Sequence, residues 1–147
     1  MDPLRHLDDR LLLDVDTLAR ATGWLHPWVV GYATYGLVLF AGLLLAGLLT
    51  TRCGPTRTLA AAGWAPLAVL LAVAVNQPIG HMVHEGRPYA SHPHLLVLAG
   101  RTSDFSFPSD HGVMVGAATA GLLLVSRRLG LLAAAAALLM ALSLIHI

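Results

Sequence analysis

Two short stretches hold the residue types that could do chemistry: Gly86-Arg87-Pro88 and Phe107-Pro108-Ser109-Asp110-His111. Arg87 offers a planar guanidinium fork that matches phosphate oxygens, and Pro88 fixes the local direction of the chain. Pro108 disfavours helix at Phe107, so a helix is expected to begin after it, with Ser109 as N-cap and Asp110 and His111 in the first turn. The unpaired N–H groups and the positive dipole end of such a helix attract an anion. Ser109 adds a hydroxyl donor. His111 adds an imidazole, the side chain suited to general-acid work near neutral pH. Each piece also has a plainer reading. Arg87 can snorkel to water at a membrane interface, and Ser109 and His111 can be a helix cap and an interfacial histidine.

The elements that must position these residues are apolar. Of 147 residues, 56% are hydrophobic and only 12% are charged, about half the charged share of a soluble domain. The length allows one domain of about four membrane spans. A net charge of +1 gives no polybasic signal, so no nucleic-acid partner is expected. The single cysteine, Cys53, excludes an internal disulfide and a cysteine-based metal site. The charged start and the long first apolar run do not have the form of a cleavable signal peptide.

Residues 1–27 are read as an interfacial amphipathic unit. Leu4, Leu7, Leu11, Val15 and Leu18 make a helical stripe, with Asp8, Asp9, Asp14 and Asp16 largely off it. The stripe would lie flat on a bilayer or pack on the protein's own spans. Gly23 to Pro27 ends the helix, and Trp24 and Trp28 suit the interface. A first span is expected over 28–51 and a second over 58–75, kinked at Pro66 and ended by Asn76-Gln77-Pro78. A third is expected over 109–126 and a fourth from Leu129 onward. In the third, Gly112, Gly116, Ala117, Ala120 and Gly121 would allow close helix packing. Arg52 with Arg57, and Arg127 with Arg128, mark the cytoplasmic connectors by the positive-inside rule. The interval 76–108 then faces outward. The expected fold is all-α: an integral membrane antiparallel helical bundle of about four transmembrane helices, preceded by the amphipathic helix.

Taken together and in this order, the two motifs resemble the phosphatidic acid phosphatase type 2 superfamily. Its first motif is a lysine, six residues, then Arg-Pro. Its second is Pro-Ser-Gly-His. Its third is Ser-Arg, five residues, His, three residues, Asp. The second stands here as Pro108-Ser109-Asp110-His111, with Asp110 in the glycine position. The first survives as Arg87-Pro88, its lysine position falling on Gly80. The runs Asn76-Gln77-Pro78-Ile79 and Arg87-Pro88-Tyr89 also resemble bacterial members, and the likeness covers roughly residues 28–141. It implies a membrane phosphatase acting on a lipid phosphate or a polyprenyl diphosphate such as undecaprenyl diphosphate. A third-motif histidine would form a phosphohistidine, and His111 would protonate the leaving oxygen. Arg87 and Ser109 would bind the phosphoryl oxygens, with no metal and no cofactor. The plasma membrane is the implied location, with the active-site loop outside the cytoplasm. Vanadium haloperoxidases share the superfamily's anion site but are soluble, and the apolar spans argue against them.

The chain departs from the pattern at its third motif. Ser126-Arg127 copies the first two letters, but Ala133 stands where the histidine belongs, and these arginines lie on the opposite side of the membrane. Ser143 is on the right side, but Leu144 replaces the arginine and the nucleophile would fall beyond Ile147. Residues 142–147 can be written as the codons CTG TCT CTT ATA CAC ATC, the string of a transposase adapter. They are expected to be a non-native tail on a truncated, inactive chain, so His146 is given no role. Asp110 beside a phosphate would repel it unless it pointed away or paired with an arginine such as Arg101. A different class of function stays open. His81 with His84, or His92 with His94, could chelate a metal near Glu85, Asp104 and Asp110 in a metal-binding or transport protein. A small structural membrane protein is the third reading.

Overall fold

Runs of Leu, Ala, Val and Gly without charged residues form the long helices of the computed structural model, which describes residues 3–87, 94, 96–98 and 105–145. Among the described residues five α-helices occur in order: α1 (Pro3–Ala21), α2 (His26–Thr51), α3 (Thr56–Val83), α4 (Asp110–Val125) and α5 (Arg127–Ile145). A single 3-10 turn, Gly23–Leu25, joins α1 to α2. Among the described residues there is no strand, as the missing two-residue alternation requires.

Among the described residues two stretches, Gly23–Thr51 and Thr56–Val83, are long and apolar enough to cross a bilayer. The helix α4 has 16 residues, about 24 Å at 1.5 Å per residue, which falls short of the ~30 Å hydrocarbon thickness. The third expected span is therefore a helix, but a short one.

The core sits where α2, α4 and α5 meet. Phe40 comes from α2, Val115, Ala118 and Leu122 from α4, and Ala133, Ala136 and Met140 from α5, with Val69 of α3 against them. The buried face of α4 thus steps through 115, 118 and 122, a three- and four-residue rhythm. The small-residue stripe expected to pack α4 contributes less than its spacing implied. Gly116 faces open space, and Ala120 is exposed. Gly121 does serve. A Cβ built there would lie 2.6 Å from Ala65 Cβ and 3.1 Å from Ala65 Cα, so only glycine lets α4 approach α3 so closely. Gly121→Val is expected to destabilise the fold by about 1–3 kcal/mol, the usual cost of overpacking. Denaturant titration of the detergent-solubilised protein would measure it, and an unchanged midpoint would contradict this packing.

The second apolar helix does not end at Asn76-Gln77-Pro78. It continues through both Pro66 and Pro78 to Val83. Pro78 withholds one N–H from the ladder, yet the turns on either side persist. The side chains of Asn76 and Gln77 reach across to α4 instead of competing with their own backbone. The helix stops at His84, whose backbone is left-handed (φ 52°) and whose N–H donates to the Gly80 carbonyl at 3.0 Å.

The helix α1 is tethered by polar contacts. Asp16 accepts from Arg20 Nε at 2.8 Å and from the Leu96 N–H at 2.7 Å. Arg20 Nη2 donates to the His94 carbonyl at 2.6 Å, and the His26 ring meets the Ala19 carbonyl at 2.8 Å. Leu11 and Leu18 of the apolar stripe are 56% and 55% exposed, so the chain's own helices do not cover them. The Arg20 hydrogen bond, then the Leu96 N–H, lower the Asp16 carboxyl below its ordinary value of 3.8. A depressed carboxyl stabilises its native contacts above the unfolded value, and that contribution is lost as pH falls through the lower native one. The tether's contribution is therefore expected to be complete above about pH 4 and to fade progressively below it, as the pH falls through the depressed native value. At neutral pH, Asp16→Asn should speed hydrogen exchange at the Leu96 amide only about 2- to 5-fold, because exposed ion pairs are weak. Identical rates would show that this carboxylate does not hold the loop.

Candidate functional site

The residues that follow α3 meet the residues that precede α4, which brings the two motif-bearing segments together. Ser106 makes the junction. Its N–H donates to the Glu85 carbonyl at 2.9 Å, and its hydroxyl donates to the Gly86 carbonyl at 3.1 Å. The segment entering α4 thereby lies beside the residues immediately before Arg87. Phe105 is gripped from the other side. The rings of His81 and His84 meet it edge-on, with centroids 5.6 Å and 4.9 Å away.

The start of α4 follows local sequence rules. Ser109 has extended backbone (φ −72°, ψ 120°) and is the N-cap; its Oγ accepts the Gly112 N–H at 3.2 Å. Asp110 and His111 are the first two helical residues. Phe107 lies outside the helix, as Pro108 demands. His111 is half-buried, and its imidazole makes no hydrogen bond among the described residues.

Asp110 is held by α3. Its Oδ1 accepts from Asn76 Nδ2 at 2.7 Å and from Gln77 Nε2 at 3.0 Å, and its Oδ2 accepts from Gln77 Nε2 at 2.9 Å. Asn76 Nδ2 also donates to the Pro108 carbonyl at 3.2 Å. Asn76 is only 6% exposed, and a buried amide in an apolar helix needs such partners. The sequence marked Asn76 and Gln77 as the end of a span and missed this role. The signal was present: two adjacent amides inside an otherwise apolar run.

Between α3 and the segment entering α4 lies a cleft of about 230 Å³, lined by Asn76, Gln77, Gly80, His81, Phe105, Phe107, Pro108 and Asp110. Gly80, the position of the resembled family's lysine, faces it. A Cβ there would lie 3.8 Å from Pro108 Cδ and 3.9 Å from the Phe107 carbonyl. Among the described lining residues Asp110 is the one carboxylate, and there is no lysine or arginine. Of the three expected site residues, none lines this cleft. Ser109 caps α4 and His111 lies in its first turn, both beside the cleft, and Arg87 is half-buried one residue beyond the Ser106 junction.

Pro88, Arg101, His92 and Asp104 lie outside the described residues, as does His146. Among the described residues no group of three or more His, Cys, Asp or Glu side chains is placed to hold a metal ion. His81 and His84 share Phe105 between them. Ser143, weighed against the third motif, is 6% exposed and donates its hydroxyl to the Val29 carbonyl of α2 at 2.8 Å. It lines a separate, apolar hollow of about 280 Å³ with Trp28, Tyr32 and Leu139. No family model matches the chain, and no curated protein or solved structure matches it.

Proposed function

We propose that the chain is the phosphoryl-binding part of a membrane phosphatase of the phosphatidic acid phosphatase type 2 kind, acting on a lipid phosphate or polyprenyl diphosphate. The observation that carries this reading is the Ser106 junction, which brings the segment ending in Arg87 against the segment that begins α4. Anion binding there has three contributors: the N–H groups opening α4, the Ser109 hydroxyl and the Arg87 guanidinium.

The chemistry is attack on phosphorus by a nucleophilic histidine. A P–N bond forms as the P–O bond to the leaving group breaks, and His111 gives its proton to the departing oxygen. Water then attacks the phosphohistidine and gives its proton to the now neutral His111, the P–N bond breaks, and phosphate leaves. The attacking histidine of the third motif has no counterpart among these 147 residues. The proposal is therefore confined to binding and protonation.

A bilayer is the solvent that suits α2 and α3. Only 17% and 11% of their apolar stretches are buried inside the protein. Val38 is 70% exposed, Leu70 65% and Trp64 62%. Such continuous apolar surface is costly in water and neutral in lipid. By the placement of Arg52, Arg57, Arg127 and Arg128, the site faces away from the cytoplasm of the plasma membrane.

The test is orthovanadate binding to the full chain in detergent micelles, with Arg87→Ala and His111→Ala beside it. Saturable binding weakened by both substitutions supports the reading. Absence of binding, or binding indifferent to both, removes it.

A further inference from the structure

A carboxylate in the first turn of α4 poses an electrostatic problem. Left to itself, Asp110 would turn toward the free N–H groups and positive dipole end of its own helix, where an anion would otherwise sit. It does not do so. Both of its oxygens accept from side-chain amides of α3, at 2.7, 2.9 and 3.0 Å. No backbone N–H of α4 donates to them among the described residues. Asn76 spends its buried Nδ2 on two targets, the Asp110 carboxylate and the Pro108 carbonyl, and so grips both sides of the Ser109 cap.

We propose that Asn76 and Gln77 are positioning residues: their amides hold the Asp110 carboxylate against α3 and so leave the N-terminus of α4 open to a phosphoryl anion. This inference rests on the anion-binding reading above. Neutral amides suit the task. They satisfy the carboxylate by donating hydrogen bonds to both of its oxygens. Released, the carboxylate would lie within the same helical turn as a bound anion, a separation of a few ångströms at which like charges repel even though Ser109 and Asp110 are exposed. Pairing of Asp110 with an arginine is not needed to explain how the residue is tolerated.

A cycle of substitutions separates this role from simple packing. Orthovanadate affinity is measured for the full chain in detergent, for Asn76→Leu/Gln77→Leu, for Asp110→Asn, and for all three together. The paired leucines keep the bulk and apolar character of the helix but donate nothing. They are expected to weaken binding at least tenfold, roughly the effect of one uncompensated like charge. Asp110→Asn should bind as well as the parent or better. In the triple variant, affinity should return to within about threefold of the parent, because no charge remains to be held aside. A structural role for the amides would not be rescued this way, so a loss that persists after Asp110→Asn overturns the inference while leaving the anion site standing. Full affinity in the leucine pair overturns it as well. No vanadate binding in either the parent or Asp110→Asn overturns the anion site itself, and the positioning role with it.

Discussion

Arg87→Ala is expected to weaken orthovanadate binding about 100-fold, the loss of a charge-assisted, two-pronged contact. Arg87→Lys should recover only part of that, because an ammonium keeps the charge and loses the fork. The expectation depends on geometry that the Ser106 junction supplies: Gly86 is fixed to Ser106, three residues before the Ser109 cap. His111→Ala should weaken binding less, because a general acid acts mainly on the leaving group in the transition state. Isothermal titration in one detergent and one salt concentration compares all three variants. Salt must be held constant, since screening alone changes the affinity of a partly exposed anion site. Equal affinity in Arg87→Ala and the parent would remove the guanidinium from the site.

Gly80→Lys is expected to act in the opposite direction and to tighten orthovanadate binding about 10- to 100-fold, the range for one added charge-assisted hydrogen bond. The position has room. The nearest atoms to a Cβ there are 3.8 and 3.9 Å away, ordinary van der Waals contact, and the side chain would enter a cleft of about 230 Å³. Among the described residues the cleft is lined by the Asp110 carboxylate and by no lysine or arginine. A lysine would cancel the field of Asp110, whose oxygens are already occupied by Asn76 and Gln77. Unchanged or weaker binding would mean that this cleft and the anion site do not communicate, and the correspondence of Gly80 with the family's lysine would lose its meaning. Gly80→Leu is the control for bulk; it should give no gain.

Local rules made some parts of the protein readable in advance. Pro108, Ser109 and the apolar run after them dictate a capped helix start within a few residues, and α4 begins at Asp110. The uncharged runs dictate α2 and α3, because a long stretch without polar side chains must satisfy its backbone internally. The end of α3 was less legible. Asn76-Gln77-Pro78 carries stop signals, but the helix runs on to Val83 because the amides find partners 33 and 34 residues away, on α4. Nothing local to Asn76 announces Asp110. Likewise, the junction of Ser106 with Glu85 and Gly86 joins residues 20 and 21 positions apart, and loop closure over that distance leaves no periodic trace.

By itself, then, the order of residues determined that the apolar runs are helical, where the capped turn lies and which side chains are capable of phosphate chemistry, because these depend on neighbours within about one helical turn. Tertiary structure alone decided that the carboxylate of Asp110 belongs to α3, that Gly80 opens into a cleft beside Pro108, and that Gly121 rather than Gly116 carries the α3–α4 contact. Those outcomes depend on which faces of distant helices meet. Side chains of identical type and spacing differ in role only once a partner helix lies against one of them.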